Sequence, residues 1–316
     1  MALLAVPSVI VDSTFHCMPA FSEPTAPGVL HLRLLDKEAK LFTWFKQHGS
    51  VLIGYSGGVD SAYLACVALD ALGPSKVLAV IGRSASFPFE QWTRAREVAE
   101  QFHVPVLEID TDELNDPHYA ANPINRCYFC KTELWSKLVP IARERGLAVV
   151  VDGTNHDDLA DFRPGAQAAR EHRVESPLAE LRFSKDDIRT LSQQRGIPTW
   201  NQPSSPCLSS RLPHGTAVTP LRLRKVENAE RALRSLGVTG NLRVRYHGDT
   251  ARLEMDHEQM QYWSALDQRD GVRTAVLAAG FKRVEMDLRG FRSGSLNELT
   301  REERAASYVL SLMEDA

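Results

Sequence analysis

Two sets of residues in this chain have the types and spacing to do chemistry. The first is Ser56-Gly57-Gly58-Val59-Asp60-Ser61, entered from the apolar run Val51-Leu52-Ile53-Gly54-Tyr55 and left through a helical pattern reaching Leu72. Adjacent glycines let the backbone approach an anion, and the helix that follows points its first amides at the same spot. Ser56 and Ser61 supply hydroxyl donors, and Asp60 is placed to hold magnesium against phosphates. No Lys-Ser/Thr follows spaced glycines, so this is not a Walker loop. A glycine turn capped by Ser and Asp is the competing account.

The second set is cysteine. Cys127 and Cys130 form a C-x-x-C at the start of a helical pattern, flanked by Arg126 and Lys131. Helix dipole and cations both favour the thiolate, the form that binds metal or attacks an electrophile. Cys207 sits in Gln202-Pro203-Ser204-Ser205-Pro206-Cys207-Leu208-Ser209-Ser210-Arg211, where two prolines exclude regular helix and imply a shaped loop. Cys66 lies among Leu64, Ala65, Val67 and Leu69 and reads as core, while Cys17 reads as incidental. Structural zinc, packing or a reactive site remain open for the other three.

Further candidates lie beside these. Gly82-Arg83-Ser84 follows a second apolar strand, and Asp152-Gly153-Thr154-Asn155 with Asp157-Asp158 follows another; each fits a nucleotide or a plain turn. Arg243 and Arg245 alternate on one strand and so leave the same face, with Glu254 on the adjoining strand and Glu230 on the helix before. Paired guanidiniums suit a phosphate and the carboxylates a divalent cation; surface ion pairs are the alternative.

These residues need elements to place them. Val51–Tyr55, Val77–Ile81, Val104–Ile109 and Leu147–Val151 read as buried strands separated by helices, which predicts an α/β fold with a Rossmann-like parallel sheet and ligands at the strands' carboxyl ends. After about residue 212 the order becomes a helix over Pro220–Leu236, strands at Leu242–Tyr246 and Ala251–Met255, more helix, and a strand near Val284–Leu288, a smaller α+β region. The expected division is 1–30 as a loosely ordered extension, 31–212 as the nucleotide domain, and 213–316 as a substrate-binding or oligomerisation domain.

Composition excludes several classes. With 37 basic and 40 acidic residues among 316, the net charge of −3 gives no global pull toward nucleic acid. Five sparse cysteines do not suit a secreted disulfide framework, and no apolar run nears the roughly 20 residues that span a bilayer. The opening MALLAVPSVIVDS reads as an extension and not a signal peptide, so a cytoplasmic location is expected.

SGGVDS resembles the PP-loop of the ATP pyrophosphatase superfamily, which implies ATP with magnesium, pyrophosphate release and an adenylated substrate. From about residue 31 onward the resemblance narrows. Gly153-Thr154-Asn155-His156-Asp157-Asp158, Phe162-Arg163-Pro164-Gly165, Glu175-Ser176-Pro177-Leu178, Pro198-Thr199-Trp200, Pro206 to Arg211, Arg243-Val244-Arg245 and Gly290-Phe291-Arg292-Ser293-Gly294-Ser295 resemble the LarE family. That family comprises ATP-dependent sulfur transferases that adenylate a pyridinium dicarboxylate mononucleotide and convert its carboxylates to thiocarboxylates, toward the nickel-pincer cofactor of lactate racemase.

The PP-loop resemblance gives Ser56, Gly57, Gly58, Asp60 and Ser61 to ATP, beside which Ser84, Gly153 and Thr154 are candidates from their places after the other strands, and the LarE resemblance assigns Arg243 and Arg245 to the substrate's phosphate. It implies a 4Fe-4S cluster on Cys127, Cys130 and Cys207, with an open iron for a sulfide taken from a donor. Zinc on the same thiols with His118 or His214 is one alternative, and sacrifice of the sulfur of Cys207 another. Further readings are an adenylating amidotransferase, a tRNA thiolase, or a non-catalytic nucleotide-binding regulator. The ammonia route would not need the cysteines, and near-neutral charge opposes the tRNA reading. A homo-oligomer without nucleic-acid or membrane partners is expected.

Overall fold

The computed structural model describes residues 27–160, 163–203, 205–292 and 309–311. Cys17, Phe162, Ser204 and Ser293-Gly294-Ser295 therefore lie outside the described residues.

Four strands, β1 (Val51–Gly54), β2 (Val77–Arg83), β3 (Val106–Asp110) and β4 (Val149–Val151), form a wholly parallel sheet in the order β3-β2-β1-β4. Every core position of β1 is buried because helices cover both faces, yet the pleat still sorts the side chains. Val51, Ile53, Ala79, Ile81 and Val151 enter one cluster, while Leu52, Leu78, Val80 and Val150 enter another with Trp135 and Leu138. The first cluster is completed by helices α1 (Pro27–His48), α2 (Val59–Leu72) and α3 (Phe89–Gln101). After the single turn α4 (Pro117–Ala120), helix α5 (Arg126–Glu144) closes the opposite face. Shorter helices α6 (Pro164–Glu171), α7 (Pro177–Glu180) and α8 (Lys185–Gln194) lead to the loop bearing Cys207.

The chain adds β2 and β3 on one side of β1 and then returns to lay β4 on the other. That reversal opens a crevice at the carboxyl ends of β1 and β4, the usual place for a ligand in such sheets. The fold class read from the sequence is thus the one observed. Strand β3 begins two residues later than expected, at Val106, where its register with Ala79–Arg83 starts. Leu147 and Ala148 likewise fall outside β4.

A second sheet, β5 (Leu242–His247), β6 (Thr250–Met255), β7 (Arg283–Asp287) and β8 (Val309–Ser311), runs in that order with an antiparallel, a parallel and an antiparallel pairing. Helix α9 (Pro220–Leu236) packs on it through Leu223, Val226, Ala229 and Leu233, with α10 (His257–Trp263) and α11 (Leu266–Ala278) alongside. Thr219 caps the start of α9 by accepting from the amide of Arg222, Pro220 occupies its first turn, and Gly237 ends it in the left-handed region. Tyr119, Leu208 and Leu212 belong to this second core, with Phe129 and Cys130 packed against it, so the cysteine segments are built into the contact between the sheets. No helix among the described residues is long and apolar enough to cross a membrane.

Candidate active site

The SGGVDS loop occupies the crevice between β1 and β4. Tyr55 still donates its amide to Val80 at 2.9 Å, and Gly57 then turns the chain at φ +69°. A side chain there would meet the Cβ of Ala95 at 2.4 Å, so only glycine lets the loop pass beneath α3. Gly58 leads into α2 with extended backbone, and no side chain caps the first-turn amides. The Ser56 and Ser61 hydroxyls lie 3.2 Å apart, and Ser61 Oγ donates to the Gly58 carbonyl at 3.2 Å. The product is a short nest of donors facing the crevice, with the chemistry to cradle phosphates.

The loop after β4 folds over the start of α2. A Cβ on Gly153 would lie 3.0 Å from the amide nitrogen of Ser61. Buried Asp152 shapes this loop by accepting from the amide of Thr154 (3.1 Å), its hydroxyl (2.8 Å) and Ser176 Oγ (2.7 Å). Asn155 donates to Asp60 Oδ1 at 3.4 Å, and Lys185 Nζ donates to Asp60 Oδ2 at 2.5 Å. Asp158 ion-pairs with Arg163 at 2.6 Å, and its carboxyl is raised above the ordinary value, chiefly by burial.

Lys185 is a site residue that sequence reading missed. It opens α8, whose capping box between Ser184 and Asp187 fixes where the helix begins and so where the ammonium stands. The Ser-x-x-Asp spacing was a visible signal for that start, but not for the partner. Ser84 is placed beside the same crevice, and its hydroxyl donates to the buried Glu113 at 2.5 Å, as Ser86 does at 2.8 Å. Arg83 turns outward onto Glu108 and the ring of Trp92.

The loop of Cys207 reaches this edge through a backbone bond from Leu208 N to the Ser86 carbonyl at 2.8 Å. Cys127, exposed, and Cys130, half-buried, stand on the first turn of α5. Both thiols are raised, first by desolvation, then at Cys127 by the neighbouring Cys207 and at Cys130 by the buried Glu113 followed by Cys207. The expectation of ready thiolates is therefore corrected. Arg126 and Lys131 oppose the shift, but Arg126 is turned inward onto Asn122 and Ser209, and Lys131 lies over Trp135.

Among the described residues, no three His, Cys, Asp or Glu side chains are grouped to hold a metal. His118 is exposed and contacts Asp116 at 3.0 Å, and the Nδ1 of His214 is buried without a partner. Cys66 is packed inside α2, its thiol pushed up to about 12 by burial.

Two arginines, Arg211 and Arg245, tie the second sheet to the cysteine loop, and Arg243 lies beside them. Arg211, 2% exposed, binds Glu230 through Nε (2.9 Å) and Nη2 (3.0 Å), and its Nη1 donates to the carbonyls of Pro206 (2.6 Å) and Cys207 (3.2 Å). Arg245 pairs with buried Glu254 at 2.8 Å and donates to the Ser210 carbonyl at 2.7 Å. Arg243 donates to the Leu242 carbonyl and lies over Phe291. Its pKa is pushed down to about 9 by burial, then by the charge of Arg211. These arginines are buried, which removes the reading of a solvated strand face. Both carboxylates expected to hold a cation, Glu230 and Glu254, are engaged by guanidiniums instead. A cavity of about 370 Å³ opens here, lined by Arg94, Arg211, Arg234 and Arg243, by Glu90 and Glu230, and by Gln91 and Gln202, so that arginines outnumber carboxylates two to one.

A parallel sheet carrying this glycine loop at its switch point has the arrangement to hold a nucleotide's phosphates. A family model for NAD synthase matches residues 44–123. The chain is 42% identical over 266 residues to an uncharacterized protein of Synechocystis, covering 84% of this chain and 98% of that one. It is 36% identical over 276 residues to the pyridinium-3,5-bisthiocarboxylic acid mononucleotide synthase of Lactiplantibacillus plantarum, covering 87% and 99%. NMN synthetase from Francisella tularensis aligns at TM-score 0.43 and 18% identity over 54% of this chain and 75% of that one, too distant to argue from. The chain belongs to the LarE family of ATP-dependent sulfur transferases.

Asp60 faces the nest, so Asp60→Asn is expected to lower pyrophosphate release at least about a hundredfold while the thermal transition stays near that of the parent. Wild-type turnover in the folded variant would remove Asp60 from the chemistry.

Proposed function

We propose that this enzyme adenylates a carboxylate of a pyridinium dicarboxylate mononucleotide and replaces one of its oxygens with sulfur. The observation that carries the reading is the placement of Cys207: its loop is bonded on one side to Ser86 at the nucleotide edge and on the other to Arg211 and Arg245 beside the basic cavity. A thiol there stands between an ATP cradle and a pocket for an anion.

ATP would lie with its phosphates on Ser56, Gly57, Gly58 and Ser61, and with Gly153 and Thr154 above them. Magnesium neutralises phosphate charge when bound, and the Lys185 ammonium 2.5 Å from Asp60 marks a place that already favours a cation. A substrate carboxylate oxygen attacks the α-phosphorus, pyrophosphate leaves, and the carboxylate becomes an acyl adenylate. Sulfur then attacks the acyl carbon, and AMP departs with the original carboxylate oxygen. The substrate's own phosphate belongs in the cavity near Arg243, where a dianion would offset the crowded positive charge of Arg211, Arg243 and Arg245.

For the sulfur source, three thiols from two segments are the right donor set for a 4Fe-4S cluster with one open iron, which would accept sulfide from an external donor. Among the described residues these thiols are not grouped to hold a metal, so the three would have to draw together to hold a cluster.

Arg243→Ala is expected to weaken binding of the mononucleotide at least tenfold, about 1.4 kcal/mol, and to leave ATP affinity unchanged. Loss of ATP affinity instead would misplace the phosphate pocket. For the sulfur source, anaerobically purified protein is expected to hold iron and sulfide with brown absorbance, lost on replacing any of Cys127, Cys130 or Cys207. Repeated turnover with added sulfide should leave the mass of Cys207 intact. Loss of hydrogen sulfide from Cys207 after one turnover would establish sacrifice, and one colourless zinc per chain a structural site.

A further inference from the structure

The segment that carries Cys207 continues to Val218, and along that length it is gripped by one short stretch that ends where the C-x-x-C begins. Tyr119 Oη and Ser209 Oγ lie 2.7 Å apart, and Val218 N donates to the Ala120 carbonyl at 2.8 Å. The side-chain amide of Asn122 donates toward the carbonyls of Leu212 (3.3 Å), Pro213 (2.8 Å) and Thr216 (3.0 Å), and its own carbonyl accepts from Gly215 N at 2.9 Å. Asn122 does this fully buried, at 0% exposure, and with φ +56°, a conformation that a side-chain-bearing residue adopts at a cost.

The remaining atom of that side chain, Oδ1, accepts from Arg126 Nη1, and the same nitrogen donates to the Ser209 carbonyl at 2.9 Å. Arg126 is itself buried and immediately precedes Cys127. A guanidinium at the first position of a helix gains nothing from the helix dipole, since cations are favoured at the other end. Its burial makes sense as a tie between two segments, because besides its bond to the adjacent Cys127 it reaches the Ser209 carbonyl in the Cys207 loop and Asn122, the residue that holds that loop.

We propose that Asn122 and Arg126 form a latch that positions Cys207 against Cys127 and Cys130, making them positioning residues of the sulfur site. The inference rests on the reading that these thiols act together. Removing Arg126 frees the Ser209 carbonyl and Asn122 Oδ1 at once, so the loop keeps its ends but loses its register with α5.

The test uses full-length, metal-free Cys130→Ser protein, in which Cys127 is the remaining α5 partner for Cys207. Under controlled oxidation with diamide, the Cys127–Cys207 disulfide is quantified by peptide mass spectrometry. Adding Arg126→Gln is expected to reduce its yield at least fivefold, while the buried Cys66 stays slow to alkylate and so reports an intact first core. Arg126→Lys keeps the charge and one donor, and is expected to give an intermediate yield, reduced at least twofold; it carries the test alone should Arg126→Gln not fold. Undiminished cross-linking in the folded arginine variants overturns the latch. If the Cys130→Ser parent forms no such bond, the shared thiol site is wrong and the latch falls with it.

Discussion

The arrangement depends on one buried guanidinium. Arg211 satisfies Glu230 with two parallel bonds and turns its third nitrogen onto the backbone of Pro206 and Cys207. Charge buried to this degree is tolerated only when paired and fully hydrogen-bonded, and breaking such a pair costs about 3–5 kcal/mol. Glu230 also accepts the amide of Val244 at 2.9 Å, so one ion pair fixes α9, β5 and the cysteine loop relative to one another. Beyond the single 3-10 turn of Leu208–Arg211, the two prolines deprive that loop of a helical or sheet ladder, and neighbouring segments supply its shape.

From that anchor the rest follows in space. The loop is held by Arg211 and Arg245 on the side of the second sheet, by Ser86 on the side of the nucleotide sheet, and by Asn122 before α5 and Arg126 at its start. A thiol so placed can meet an electrophile formed at the switch point of the parallel sheet, where the nest of SGGVDS and the Asp60–Lys185 pair face the crevice. The cavity beside Arg211 reaches Gln91, whose side-chain amide donates to the Ser56 carbonyl at 3.2 Å, so it opens next to the phosphate loop. Neither sheet builds this geometry by itself.

Much of this was legible in the sequence. The strand–loop–helix around SGGVDS was readable because a buried parallel strand, paired glycines and a helix start are all local signals. Helix α9 matched its expected ends at Pro220 and Leu236 because Thr219, Pro220 and Gly237 are cap signals. What stayed hidden depends on distant partners. Lys185 meets Asp60 across 125 residues of chain, and Arg126 meets Ser209 across 83. The thiolate expectation for Cys127 and Cys130 failed for a related reason: dipole and flanking cations are visible locally, whereas desolvation by distant segments and the presence of Cys207, and of Glu113 at Cys130, are not. Arg243 and Arg245 were legible as a pair on one face, but not as buried groups already bonded within the fold.

The central claim is that ATP is used to make an acyl adenylate that sulfur then opens. It is tested most directly by following oxygen from a pyridinium dicarboxylate mononucleotide labelled with 18O in its carboxylates. The account predicts AMP carrying one 18O for each sulfur incorporated, with unlabelled pyrophosphate. Unlabelled AMP, or ADP and phosphate as products, would contradict it.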